Sequence, residues 1–528
     1  MRMVHHVPLL HFEIMKSPLA IMTENQFLNI CATCKSILKA KDSTIQRVAI
    51  PWMHPIREHP IALERYVELV LKPNRIQVAK KWFRDFIIYS CIWIRQLYRA
   101  ITRGNDYWKS NDVFPDKVDC LFISHVVNRS HLKNTDDFYF SSIPDELVKR
   151  NYQVLIGYIN NLGAFNKSIK NSTVKSFFPK LYFTDSLSLK QELSIRKSLK
   201  KESKLLKRNA LKENNSLSRK ILFKAAHEIL SGEAQSTMRI FDQVKKMVET
   251  ARPNSIIVPY EGHAYERICF AASRAVKPDI ICISYQHTGV FRLSNAIRQT
   301  LATQYNPDII LTPGIETKND LNNNPEFAGI RIEVLGSVRS VIDSGKTIIH
   351  KQRPQLACLV MPEGILSECT QLFKFSIECA YLRPEINFIW RLHPSVSFDE
   401  ITSQSKVFQN IPPNIIFSTA TIENDIEHST WVLYRGTTAI LKAISAGLRP
   451  FYLQNSGELT IDPLYKLDKW RINVTKPEEF DSWLQHDIAT AFKDFPENLP
   501  IAQELCLQRF SKLDINVLDS IIKEKTSN

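Results

Sequence analysis

Up to about Pro115, apolar residues recur at helical intervals in "IALERYVELVL" and in "WFRDFIIYSCIWIRQLYRAITR", with proline-bearing breaks between. Residues 1–117 therefore read as a mainly helical extension. From Val118 the period changes: "VDCLFISHV" and "YQVLIGYIN" are short β-branched or aromatic runs with polar ends, the look of buried parallel strands. The stretch 186–224 breaks that texture. It is dense in lysine and arginine, lacks proline and glycine, and spaces Leu189, Leu193, Leu199 and Leu206 as a helix would. Strand texture then resumes in "NSIIVPYEG", "DIICISYQH", "DIILTPG" and "IRIEVLGSV", separated by helical stretches such as "AYERICFAASRAV". "DSGKTIIHKQRP", Asp343 to Pro354, reads as a linker. A second alternating series follows it: "QLACLVMPEG", "INFIWRLHP", "NIIFST", "WVLYRG" and "RPFYLQ". The predicted class is α/β, with two Rossmann-like domains in tandem at 118–342 and 343–528, the first interrupted by a basic helical insertion. Leu499 to Lys525 is predicted helical.

Composition narrows the functional classes. With 44% hydrophobic and 23% charged residues, the chain has the make-up of a globular protein. A formal charge of +15 points to an anionic partner, either a nucleotide, a nucleic acid or an acidic membrane surface, or else to solubility alone. The ten cysteines are scattered, mostly in apolar runs, as free thiols of a reducing compartment are. Cys31 and Cys34 have metal-ligand spacing, yet no second pair or H-x-x-x-H follows, so zinc is not invoked. No signal-type apolar core forms at the N-terminus, and the expected location is cytoplasmic. In Trp82–Arg103 the longest uncharged run, Phe86 to Ile94, is half of what a spanning helix needs. That segment reads as a buried helix or as one lying in a membrane interface. In the insertion, Lys200, Lys201, Lys204, Lys207 and Arg208 form a solvated face or a patch for anionic headgroups at the inner face of the cell membrane.

In open α/β sheets, ligands bind beyond the carboxyl ends of the strands, so polar residues just after an apolar run are the candidates. "INFIWRLHPSVS" supplies Arg391, His393, Pro394, Ser395 and Ser397. Arginine and protonated histidine suit phosphate oxygens, and proline stiffens the turn that aims them. "WVLYRGTTAILKAISAG" supplies Arg435, then Gly436 for close approach, then Thr437 and Thr438 opening a helix that runs to about Ala446. Such hydroxyls and free N–H groups form an anion site or a plain cap. "SIIVPYEGHAYER" ends a strand on Glu261, Gly262 and His263. There the carboxylate serves as a general base on a sugar hydroxyl or as a helix cap. "ICISYQHTGVFR" adds Gln286, His287 and Thr288. By contrast, Pro51 weakens "RVAIPWMHPIREHP" as a strand, which demotes His54 and His59.

A strand ending in carboxylate–glycine, then R-x-H-P, then strand–G-T-T–helix and "AGLRPFYL", resembles bacterial GT-B glycosyltransferases of surface polysaccharide biosynthesis. The pattern is most similar to enzymes that transfer sialic acid, Kdo or related nonulosonic acids from CMP-sugars. The likeness covers about residues 250–455. It implies two domains facing a cleft, Glu261 as base on the acceptor hydroxyl, and His393 contacting the nucleotide phosphate as it leaves. It implies phosphate contacts from Thr437 and Thr438 as well. Tyr260 stands where sialyltransferase motifs show a second acidic residue. The expected substrates are a CMP- or UDP-linked sugar and a surface glycan or lipid-linked acceptor. No D-x-D motif is present, so no metal or other cofactor is invoked. Nucleotide-sugar 2-epimerases and glycerophosphotransferases of the same fold are the alternatives. A basic nucleic-acid-binding protein is the alternative of another class, supported by charge alone and lacking zinc-finger, ribonucleoprotein or P-loop patterns.

Overall fold

A computed structural model describes residues 22–526 apart from 71–74, 103–105, 111, 116, 128–130, 132–135, 162–176, 339–355, 394–395 and 468. Among these, eight strands form the first sheet: β1 (Trp108–Lys109), β2 (Cys120–Val126), β3 (Val154–Asn160), β4 (Lys180–Phe183), β5 (Ser255–Pro259), β6 (Ile281–Tyr285), β7 (Ile309–Thr312) and β8 (Arg331–Val334). Their spatial order is β1-β4-β3-β2-β5-β6-β7-β8, and every pairing is parallel except β1 with β4. Six more strands form a second, wholly parallel sheet: β9 (Ala357–Pro362), β10 (Asn387–Trp390), β11 (Ile415–Phe417), β12 (Trp431–Arg435), β13 (Arg449–Leu453) and β14 (Ile472–Val474). They run β11-β10-β9-β12-β13-β14. The molecule is thus α/β with two doubly wound, Rossmann-like sheets. The linker stretch Asp343–Pro354 lies outside the described residues.

Each sheet is buried on both faces, which is why its central strands are continuous apolar runs. In β2 and β5, alternate residues point to opposite cores. Leu121, Ile123, Ile256 and Val258 pack under the helices Gly232–Ala251 and Ala264–Arg274, while Phe122 and Ile257 face Phe140 and Leu311. The second face is completed from far along the chain. The helix Ile515–Thr526 returns to the first sheet, where Leu518, Ile521 and Ile522 join that core and Asp519 pairs with Arg150 and Tyr152.

The N-terminal extension is helical at Glu24–Leu38, Ile45–Val48, Pro60–Val70 and Arg75–Thr102. Cys31 and Cys34 are buried in its core, and burial pushes both thiols up, Cys34 to about 12. These protonated thiols are packing groups rather than ready metal ligands. The basic insertion forms the helices Leu189–Lys212 and Ser216–Glu228. Its inner face holds buried Glu192, which takes charge-assisted bonds from Arg239 and amide bonds from Gln235 and Gln96. Lys200, Lys201, Lys204, Lys207 and Arg208 are all exposed on the outer face.

Candidate active site between the two sheets

Each sheet reverses its strand order once, between β2 and β5 in the first and between β9 and β12 in the second. At such switch points the loops leave in opposite directions and open a crevice. Loops at the carboxyl ends of the two sheets approach one another. A Cβ built on Gly289, in the loop after β6, falls 3.5 Å from the Thr438 methyl in the loop after β12.

On the first sheet, Glu261 follows β5. The Thr288 hydroxyl donates to its Oε1 at 2.7 Å, and His263 Nε2 lies 3.2 Å from its Oε2. Burial alone raises a carboxyl pKa, but here His263, His287 and Thr288 outweigh it and hold Glu261 well below the usual range. The same bond, with help from Glu266, raises His263 against its own burial. The turn that presents the pair wraps around Glu266, whose carboxylate accepts from the backbone N–H groups of Glu261, Gly262 and His263. Burial pushes Glu266 up to about 7, despite those donors. Gly262 is left-handed at φ +87°, and a Cβ there would sit 2.4 Å from the Ala296 backbone.

Around this pair stands an aromatic and imidazole wall. His125, at the end of β2, meets Tyr265 edge-on at 4.4 Å, and Tyr139 meets His287 at 4.8 Å. Asn161 donates to His125 Nδ1 at 3.0 Å if that nitrogen is the bare one, which puts the proton on Nε2. Among the described residues His125 Nε2 has no partner, and neither does either amide atom of the fully buried Gln286. His125, Tyr139 and Tyr265 were not singled out in the sequence, although "VDCLFISHV" ends a strand on a histidine and carried the signal.

On the second sheet, Glu363 follows β9 and was likewise missed, although "MPEG" repeats the carboxylate–glycine ending. It is buried against Gly436, whose φ is +67° and whose added Cβ would lie 2.7 Å from the Glu363 carboxyl carbon. The close approach that Gly436 permits is therefore filled by protein. His59 Nε2 lies 2.5 Å from Glu363 Oε1, and Arg57 reaches Oε2 at 3.4 Å. Burial favours the protonated acid, but His59, Arg57 and Arg435 together keep Glu363 below its ordinary value. The demoted segment carries no strand, as Pro51 required, yet it reaches the crevice. Pro55 and Ile56 carbonyls accept from Ala296 and Asn295, Glu58 accepts from Leu293 N–H at 2.9 Å, and Arg57 stacks over Phe291. It straps the first domain to Glu363 of the second.

The two predicted arginines are placed differently from expectation. Arg435 is fully buried and spent on Glu368, Glu458 and the Leu453 carbonyl. Arg391 donates to Asp425 at 2.7 Å and to the Ala420 carbonyl at 2.9 Å. Both brace the sheet's rim. His393 is exposed beyond β10, where crowding lowers its pKa against the pull of the Glu363 carboxylate. Thr437 is nearly buried and its hydroxyl accepts from Ala439 N–H at 3.3 Å, while Thr438 is half-buried. The helix after them is shorter than expected, Ile440–Ser445. The Ser397 hydroxyl caps Phe398–Thr402. Pro394 and Ser395 lie outside the described residues.

Among the described residues, His59, Glu363 and Glu368 bring three ligand-type groups within 4.8 Å of one another. Arg57 and Arg435 already supply the cationic charge there, so a dication meets two guanidinium groups at close range.

No protein-family model matches the chain, and no curated protein matches it. Among solved structures, the calicheamicin glycosyltransferase CalG4 is similar over 78% of this chain and 99% of its own, at 12% identity and a TM-score of 0.44. A UDP-GlcNAc 2-epimerase from Neisseria meningitidis bound to UDP-GlcNAc is similar over 78% of this chain and 99% of its own, at 15% identity and a TM-score of 0.39. The UDP-GlcNAc 2-epimerase from Methanocaldococcus jannaschii, solved with UDP-GlcNAc and UDP, covers 78% of this chain and 100% of its own at 12% identity and a TM-score of 0.41. Likenesses this distant carry no functional weight, which falls on the side chains instead.

Proposed function

We propose that the chain is a glycosyltransferase that moves a sugar from a cytidine or uridine nucleotide, held against the second sheet, to a hydroxyl of a glycan or lipid-linked acceptor at the first. The supporting observation is the approach of strand-end loops from the two sheets, Gly289 to Thr438, beside the carboxylate–imidazole pair of Glu261 with His263, which Thr288 also bonds. In this reading the acceptor hydroxyl gives its proton to the pair while its oxygen bonds the anomeric carbon. The donor's phosphate oxygen departs with the electrons of the broken bond. The pair titrates as a unit, so it accepts that proton only after His263 has lost its own. His393 and the Thr437–Thr438 loop stabilise the leaving phosphate, a contribution of about 3 kcal/mol per well-placed donor.

A second reading, epimerisation of a nucleotide sugar, draws on the other carboxylate–imidazole pair, Glu363 with His59. Inverting a carbon needs a base on one face and an acid on the other.

The decisive measurement is the unfolding midpoint with CMP, UDP and AMP. A nucleotide at a hundred times its Kd stabilises the native state by about 2.7 kcal/mol. Stabilisation by CMP or UDP, lost in His393→Ala and kept in Glu261→Gln with turnover abolished, is the expected result. No shift with any nucleotide at millimolar concentration sinks the proposal. Conversion of a nucleotide sugar without an acceptor selects the epimerase.

A further inference from the structure

The helix Arg75–Thr102 is 28 residues long and faces two ways. One side is pinned to the body by specific contacts. Trp82 stacks on His227 at 4.9 Å, Trp93 lies under the Arg196 guanidinium at 5.3 Å, and Gln96 bonds Glu192 and the Asp185 carbonyl. The other side carries Phe83, Phe86, Ile87, Ile94, Tyr98 and Ile101, between 46% and 69% exposed. At 100° per residue these six fall within about 120° of arc, a stripe about 27 Å long. Lys80, Arg84 and Arg95 are exposed along one edge of it, and the segment's one acid, Asp85, turns inward beside His227. An apolar stripe of this extent is costly to leave in water.

We infer that this stripe is a docking surface for an anionic lipid bilayer, on which the helix lies in the plane of the interface. Three observations choose that occupant. The stripe runs along one side of a single helix, a convex ridge rather than a groove, which suits a flat, yielding surface. Its exposed charges are all cationic and complement phosphate headgroups, as does the net charge of +15. Among the described residues no helix is long and apolar enough to cross a membrane, so this one can lie on a bilayer but not span it. The lysine face of Leu189–Lys212 lacks such a stripe between Lys200 and Arg208, and adds long-range attraction without insertion. The inference stands apart from the catalytic reading, because the helix belongs to neither sheet.

The test is co-sedimentation of the full chain, without nucleotide, with phosphatidylcholine vesicles that either contain phosphatidylglycerol or lack it. Preferential partition into the anionic vesicles is expected. Phe83→Ser/Ile94→Ser/Ile101→Ser should weaken it about tenfold or more, with an unchanged unfolding midpoint. Lys80→Glu/Arg84→Glu/Arg95→Glu should remove the preference for anionic lipid. Lys200→Glu/Lys201→Glu/Lys204→Glu should keep most of the binding. The inference is overturned if the wild-type chain stays in solution, or if the serine variant partitions like it. It is equally overturned if only the Lys200 variant loses binding, or if the stripe instead holds together a dimer that the serine variant splits. Nucleotide stabilisation measured on the same variants reports on the catalytic proposal separately.

Discussion

His54 and His125 are enclosed by protein, and burial pushes each ring down to about 3. Between that value and the ordinary one near 6.5, the unfolded chain binds a proton that the folded ring refuses, so stability falls as the pH drops through this window. Glu266, raised to about 7, acts with the opposite sign between its folded value and the ordinary 4.5. The wild-type curve is therefore flattened, and a variant is needed to expose one group. His125→Asn removes the penalty and keeps a partner for Asn161. Its stability relative to wild type should improve by roughly 1.4 kcal/mol for the unit between pH 6 and pH 5. A pH-independent difference in urea unfolding would mean that His125 is solvated. The neighbouring pair shows which chemistry is legible from residues in order. Glu261, Gly262 and His263 are consecutive, so their spacing announces them. His59 and Glu363 are 304 positions apart and carry no joint signature. Arg435 misled for the same reason: its partners Glu368 and Glu458 are 67 and 23 positions away, and only the fold reveals that it is spent.

At the level of elements, the turns matter more than the strands. Parallel strands buried on both faces are uniform apolar runs, which is why the central strands of both sheets could be read from their hydrophobic pattern, whereas the short strands β1, β4 and β14 could not. The turns are set by single glycines whose reasons differ. Gly262 needs both its positive φ and its empty space against Ala296, whereas Gly329 has φ +88° with nothing within 4 Å of an added Cβ. Gly329→Ala should therefore cost only the backbone term, about 1 kcal/mol. Gly262→Ala should cost about 2–4 kcal/mol, because the Ala296 segment must also move. Equal losses in chemical unfolding would show that the close contact relaxes freely. The length of the helix after Thr438 was not legible in this way. "TTAILKAISAG" has helical composition throughout, but the Thr437 hydroxyl accepts from the Ala439 N–H in a turn ahead of the helix, which starts only at Ile440.

Over the whole molecule, the two sheets are held by chain segments that belong to neither half alone. The strap from Pro55 to His59 runs from the first domain to Glu363, and the chain crosses back after Arg509, where the Ser511 N–H donates to the Pro313 carbonyl and the Asp514 N–H to that of Leu335. A cut near the linker would thus leave the first sheet without part of its core. Leu518→Ala, a truncation of a fully buried side chain, should cost about 2–5 kcal/mol. The loss should appear in the first domain, as faster amide exchange in β2 and β6 with the second sheet still protected. Exchange that rises only in the second sheet would place Ile515–Thr526 there energetically.

That late-arriving helix also bears on how the protein is made. Between the end of β8 at Val334 and the first residue of the helix, Ile515, a ribosome adds about 180 residues, roughly 10–35 s at ordinary rates of synthesis. Throughout that interval Phe140, Leu147 and Leu335 wait uncovered on the nascent chain, a sticky patch of the kind that chaperones shield.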